Sequence, residues 1–243
     1  MVSSSASSPT ALVVGYVPGV TPAKWARTWA QRHPDVRLDL RAVAAAEAAD
    51  AVRTGAVDVA LLRPPADSSP LALIPLYDET TVVVVPTEHL LSAADTVTAE
   101  DLDGEPLLVP LDDVVDWTQC PGERVAHRPE TVGEAIELVA AGVGVLVVPQ
   151  SLARLHHRKD LTYRPIADAP TCPVALAVPG GEQSALVAEF IGVVRGRTPS
   201  SSRGQAEAAP KRSAREKTLA KQAARAAAGK VARTPGPTKR GRR

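Results

Sequence analysis

From residue 11 to residue 62 the chain switches back and forth between two hydrophobic periods, and that switching narrows the possible folds more than any other feature. "ALVVGYVPG" (11–19) is an unbroken apolar run closed by a Pro-Gly turn, the pattern of a buried strand. In "TPAKWARTWAQRHPD" Trp25 and Trp29 are four apart and share one helical face, Thr21 is placed to cap, Pro22 sits in the first turn, and Pro34 stops the helix. "VRLDLRAV" (36–43) is a strand, "AAEAADAVRTG" a short helix closed by Gly55, and "VDVALL" (57–62) a strand again. Consecutive parallel strands need a crossover, so strand, helix, strand, helix, strand predicts a parallel sheet covered by helices.

Beyond residue 62 the order changes. "LALIPLYDETTVVVVPTEHLL" holds two strands, 71–77 and 80–86, and "TAEDLDG" a helical turn with Thr98 as cap and Asp101 three residues on. "EPLLVP" (105–110) opens a second strand-and-helix unit, residues 111–125 show no clear period, and "RVAH" (124–127) reads as a short strand. In "ETVGEAIELVAAG" Thr131 and Glu134 have capping-box spacing, and Ala135, Leu138, Val139 and Gly142 form a stripe with Ile136 beside it. "VGVLVVP", "LTYRPI" and "CPVALAVP" (172–179) read as strands, "QSLARLHHR" as a helix, and a last amphipathic helix sets Val187, Phe190, Ile191 and Val194 at helical spacing. The pattern predicts an α/β fold of two lobes: a discontinuous first lobe from 11–86 and 165–197, a second from 87–164, a disordered arm at 1–10 and a disordered tail at 198–243. Paired crossings near Pro86–Thr87 and Leu161–Ile166 would let the lobes hinge on a small ligand.

Six stretches then carry a resemblance: "LVVGYVPG", "HPDVRLDLR", "AVRTGAVDVALLR", "PLYDETTVVVVPTEHLLSA", "DLDGEPLLVP" and "ELVAAGVGVLVVPQSLA". Together they resemble the effector-binding domain of LysR-type transcriptional regulators, which has the fold of type 2 periplasmic binding proteins. The match covers roughly residues 11–197; each stretch alone is a common α/β fragment, and their order makes them specific. The resemblance implies two lobes, a ligand in the cleft and a side-by-side antiparallel homodimer. The family normally begins with a winged helix-turn-helix and a linker helix. Here the resembling region starts at about residue 11, so that DNA reader is expected to be absent.

In open α/β lobes, ligands bind beyond the carboxyl ends of the strands, where helix N-termini offer N–H groups to an anion. Candidates are therefore the turn Pro18, Gly19, Val20 and Thr21; Thr131 at the head of the 131–141 helix; and the loop from Leu111 to Asp113. Either threonine also reads as a cap alone. The resemblance implies a pocket lined by the turns after the first two strands. The second of these often carries Thr or Ser, and Val43, Ala44 and Ala45 stand there instead. That pocket wall is more apolar than usual, takes a different ligand, or has lost one. Arg63, just past strand 57–62, would counter a carboxylate or lie solvated at the surface. The ligand is an unidentified small molecule, with a carboxylate or aromatic acid as the guess the family suggests. Trp25 and Trp29 read as core or dimer contact ahead of a stacking platform.

Cys120 and Cys172 are the only cysteines, widely spaced, which offers neither a disulfide framework nor a metal site and fits a reducing cytosol. No HExxH, paired CxxC or GxSxG occurs, so no metal, cofactor or catalytic nucleophile is expected and the chain reads as non-enzymatic. "MVSSSASSPT" lacks the basic-then-apolar order of a secretory signal, and no apolar run approaches the roughly eighteen residues of a membrane span, so a soluble cytoplasmic protein is expected.

Charge is segregated. Residues 204–243 hold twelve Lys or Arg against Glu207 and Glu216, a net +10, while residues 1–203 hold sixteen basic against twenty-five acidic side chains, a net −9. The cations Lys211, Arg212, Arg215, Lys217, Lys221, Arg225, Lys230, Arg233, Lys239, Arg240, Arg242 and Arg243, with Gly241, read as a phosphate-backbone binder. Arg240, Gly241 and Arg242 also resemble the core of an AT-hook, although Arg243 stands where that motif has proline. The expected function is a LysR-like small-molecule-sensing domain acting as a DNA-associated or accessory transcriptional regulator, nucleoid-associated through its tail. The alternative is a cytosolic small-molecule-binding protein without DNA-binding function.

Overall fold

A computed structural model describes residues 11–65 and 67–197. The expectations for 1–10 and 198–243, including every basic residue from Lys211 to Arg243, lie outside the described residues.

The predicted alternation is realised as β1 (Ala11–Tyr16), α1 (Ala23–Arg32), β2 (Arg37–Ala42), α2 (Ala48–Arg53) and β3 (Val59–Leu62). β1 pairs in parallel with both β2 and β3, and the register sets Tyr16 opposite Ala42 and Leu61. The carboxyl ends of all three strands therefore reach one edge. β4 (Ala72–Glu79) belongs to the same sheet but touches none of these strands. Its partner is β10 (Cys172–Val178), which lies antiparallel between β3 and β4 and gives the order β2-β1-β3-β10-β4. The first lobe is thus discontinuous in sequence.

α5 (Ala185–Val194) closes this lobe's core beside α1. Val187 and Phe190 are buried as their spacing predicts, while Ile191 and Val194 are only partly covered. Trp29 is almost wholly buried, donates from Nε1 to the Val36 carbonyl at 2.9 Å, and sets its ring against Phe190 with centroids 5.8 Å apart. Trp25 is buried with it, so the pair serves the core and offers no platform for stacking.

The second sheet runs β7-β6-β8-β5-β9. Its strands are β5 (Thr81–Pro86), β6 (Pro106–Leu108), β7 (Glu123–Arg124), β8 (Val145–Pro149) and β9 (Leu161–Pro165). The sheet repeats the design of the first: β6, β7 and β8 are parallel, and β5 joins antiparallel to β8 and β9. This moves a boundary. Strand 81–86, expected in the first lobe, is paired on both sides within the second sheet, so the chain leaves the first lobe at Thr80 rather than after Pro86. The physical reason is burial: "TVVVV" is covered on both faces, as only an interior strand is. The return follows β9, between Ile166 and Cys172. The two crossings are tied together, because the Ile166 N–H donates to the Thr81 carbonyl at 3.1 Å and the Thr81 hydroxyl donates to the Pro170 carbonyl. α3 (Val132–Ala140) and α4 (Gln150–Leu155) cover one face, and 3-10 turns at Leu90–Ala93 and Glu100–Leu102 help close the other. On α3 the buried stripe is Val132, Ala135, Ile136 and Val139, with Leu138 half-buried.

Candidate functional site

The edge where β1, β2 and β3 end faces the second lobe. After β1 the chain turns through Pro18 and Gly19, whose φ of 85° is open to glycine and costly for other residues. A Cβ on Gly19 would come 2.5 Å from Ser151 Oγ of the second lobe, so glycine is also what lets the lobes touch here. Thr21 does not cap α1. Pro22 already has helical dihedrals, takes the cap position, and accepts from Trp25 and Ala26, which leaves Thr21 one residue outside and exposed.

Between the lobes lies a cleft of about 710 Å³. The first lobe lines it with Tyr16, Pro18 to Thr21, Ala42 and Tyr77 to Glu79; the second contributes Gln150, Ser151, Arg154 and Leu155, with Thr80 at the crossing. All four residues of the Pro18–Thr21 turn therefore meet at this site. Val43, Ala44 and Ala45 do not line it: Val43 packs against Gly15, and the end of β2 reaches the cleft through Ala42, another side chain without a hydroxyl.

Arg63 sits at the junction, with its guanidinium engaged by the chain's own acceptors. It lies 2.7 Å from the Glu79 carboxylate, both side chains being 8% exposed, and it donates to the Pro18 carbonyl and to Ser151 Oγ, each at 3.1 Å. Its Nε is buried with no partner among the described residues. Arg63 therefore joins the first lobe, the crossing and the second lobe through the chain's own acceptors.

Thr131 and Leu111 lie elsewhere. The Thr131 hydroxyl accepts from the Glu134 N–H at 3.1 Å, the cap its spacing predicts, and Glu134 reaches back to the Glu130 N–H at 2.7 Å. The next free donor of α3, the Val132 N–H, is taken by the Asp112 carboxylate at 2.7 Å. The anion that this helix terminus would attract is thus supplied by the loop itself. Leu111 is 61% exposed and held only through its backbone, to the Pro129 carbonyl.

Sequence reasoning missed Tyr16, Tyr77, Asp78, Glu79, Ser151 and Arg154. Burial and the nearby Glu79 charge raise the Tyr77 phenol, which stays a hydrogen-bond donor at neutral pH. Burial pushes the Cys120 thiol up to about 11, and it raises Cys172 as well, so both sulfurs are held neutral. Among the described residues no group of three or more His, Cys, Asp or Glu could hold a metal ion.

Residues 12–199 match the family model described as the LysR substrate binding domain. The chain belongs to this family. Among curated LysR-family relatives, it is 29% identical over 168 residues to the HTH-type transcriptional regulator AlsR of Bacillus subtilis (strain 168), spanning 63% of this chain and 55% of AlsR. It is 28% identical over 204 residues to the Hca operon transcriptional activator HcaR of Escherichia coli (strain K12), spanning 78% of this chain and 68% of HcaR. The chain thus covers little more than half the length of AlsR. The solved BenM effector binding domain with its effector benzoate superposes with a TM-score of 0.66 at 22% identity, over 76% of this chain and 90% of that one, a likeness of fold. The family is one of regulators, not enzymes.

Proposed function

We propose that this chain is a small-molecule-sensing regulatory domain whose ligand sets the angle between two lobes, and that its basic residues from 204 to 243 hold it on DNA. The observation that carries the sensing role is the interlobe cleft. Its volume of about 710 Å³ falls in the range of small-molecule sites, its walls come from both lobes, and among the described residues two chain segments cross between them. The relatives' names support a regulatory setting, and a carboxylate-bearing ligand fits both the family and the benzoate of BenM. With Arg63 committed to Glu79, Arg154 is the cation on this cleft placed to receive such a group.

The DNA role rests on charge. Twelve cations within forty residues give an affinity that is mostly independent of sequence and falls steeply with salt, while the net −9 of residues 1–203 disfavours contact through the lobes. The test compares the full chain with a version ending at residue 203, by fluorescence anisotropy on a labelled duplex at low and moderate salt. Loss of DNA retention in the shortened chain, with a steep salt slope in the full one, supports the reading. Equal retention overturns the DNA role and leaves a small-molecule-binding protein.

A further inference from the structure

We infer that the cleft takes a small zwitterion, an amino acid with an apolar or aromatic body, whose ammonium group meets Asp78 and whose carboxylate meets Arg154. The inference rests on reading the cleft as a small-molecule site and names the chemistry of its occupant. Four charged side chains border or brace the cleft: Arg63, Asp78, Glu79 and Arg154. Two of them cancel, since Arg63 and Glu79 form a buried pair at 2.7 Å.

The other two have no ion-pair partner among the described residues and stand on different lobes. Asp78, near the end of β4, is exposed and has no hydrogen-bonding or ion-pair partner for its carboxylate among the described residues. Arg154, on α4, donates only from Nε, to the Tyr163 hydroxyl at 3.2 Å, and its two terminal amino groups have no partner among the described residues. Asp78 and Arg154 do not pair with each other within 4.0 Å.

Ligands carrying only one charge are matched on one side and opposed on the other. A plain acid meets Arg154 but brings a second anion toward Asp78; a plain amine meets Asp78 but faces Arg154. Repulsion of this kind discriminates between ligands as strongly as attraction does. A molecule with both groups satisfies both walls, and because the walls belong to different lobes it is also the class that ties one lobe to the other. Tyr16, Tyr77 and Leu155, the last two 41% and 55% exposed, add apolar surface to the lining for the side chain of such a molecule.

The experiment uses the full chain at pH 7.5, with thermal shift and titration calorimetry. The probes are L-phenylalanine and L-leucine, the acids left by removing the amino group of each (3-phenylpropanoate and 4-methylpentanoate), and the amines left by removing the carboxylate (2-phenylethylamine and 3-methylbutylamine). At least one amino acid is expected to bind and to raise the melting temperature, with its acid and amine counterparts at least about tenfold weaker, since charge-assisted hydrogen bonds are lost. Asp78→Asn is expected to bring the amino acid down to the affinity of its acid, and Arg154→Gln to that of its amine. If the acid binds as tightly as the amino acid, or neither amino acid binds, the zwitterion assignment is overturned. The sensing role fails separately: interlobe distances from paired spin labels would stay unchanged across amino acids, acids and amines alike.

Discussion

Arg63 of the first lobe donates to the Ser151 hydroxyl of the second at 3.1 Å, and the same amino group lies 2.7 Å from the Glu79 carboxylate. One side chain thus spans the end of β3, the residue before the crossing, and the start of α4. A guanidinium fork suits this role because it serves several acceptors at once in a fixed plane.

Breaking this pair from one side leaves a buried charge without its counterion. Arg63→Met is expected to lower stability by about 3–5 kcal/mol, and Glu79→Gln by a similar amount. The double variant Arg63→Met with Glu79→Met is expected to recover much of the loss, because neither charge is then stranded. Urea unfolding of the four proteins gives the double-mutant cycle; additive losses would show that the residues act independently.

Gly19→Ala meets two obstacles, a φ of 85° and a Cβ 2.5 Å from Ser151 Oγ. The backbone share costs on the order of 1–3 kcal/mol. The steric share is relieved by rotating the Ser151 hydroxyl away, which gives up its hydrogen bond from Arg63, so thermal melting should show a fall larger than the backbone share alone. In a Ser151→Gly background the same Gly19→Ala change is expected to cost less, because only the backbone share and the 3.2 Å approach to Leu152 remain.

Cys120 makes stability depend on pH on the alkaline side. Its thiol is raised from the ordinary 9.0 to about 11 in the folded protein, chiefly by burial, with Arg124 opposing. Between those values the unfolded chain has released the proton while the folded one still holds it. This contribution is therefore fully present below about pH 9 and is lost as pH rises through about 11. Urea midpoints at pH 7, 9 and 10.5 are expected to fall, and Cys120→Ala to flatten part of the fall, the rest arising from Cys172 and Tyr77, which shift the same way. At pH 7.5, iodoacetamide is expected to modify Cys120 on the order of a hundredfold more slowly than free cysteine, because the thiolate reacts and almost none is present.

Much of the fold is written locally. The alternation through residue 62, the Pro-Gly turn after β1 and the Thr131–Glu134 cap are set by neighbours within a few residues, and for the same reason the sequence locates the Pro18–Thr21 turn that lines the cleft. What escaped depends on distant partners. Nothing in "TVVVVP" says which sheet it joins, because that depends on β8 and β9, more than sixty residues on. Arg63 looks like a ligand's counterion until β10 places Glu79 beside it, and Asp112 looks like an open-loop carboxylate until the chain returns to set Val132 above it. Ser151 and Arg154 sit on a helix whose sequence gives no sign that it forms the opposite wall of the cleft.

The placement of β10 has a consequence for biosynthesis. Among the described strands β4 pairs with β10 alone, yet β10 begins at Cys172, so a nascent chain exposes a bare strand edge at Ala72–Glu79 while the entire second sheet is being translated. The inserted lobe has all its strands in hand by Pro165 and is free to mature on the ribosome, whereas the lobe that begins first must finish last. Shielding that early edge is a task for whatever meets the emerging polypeptide.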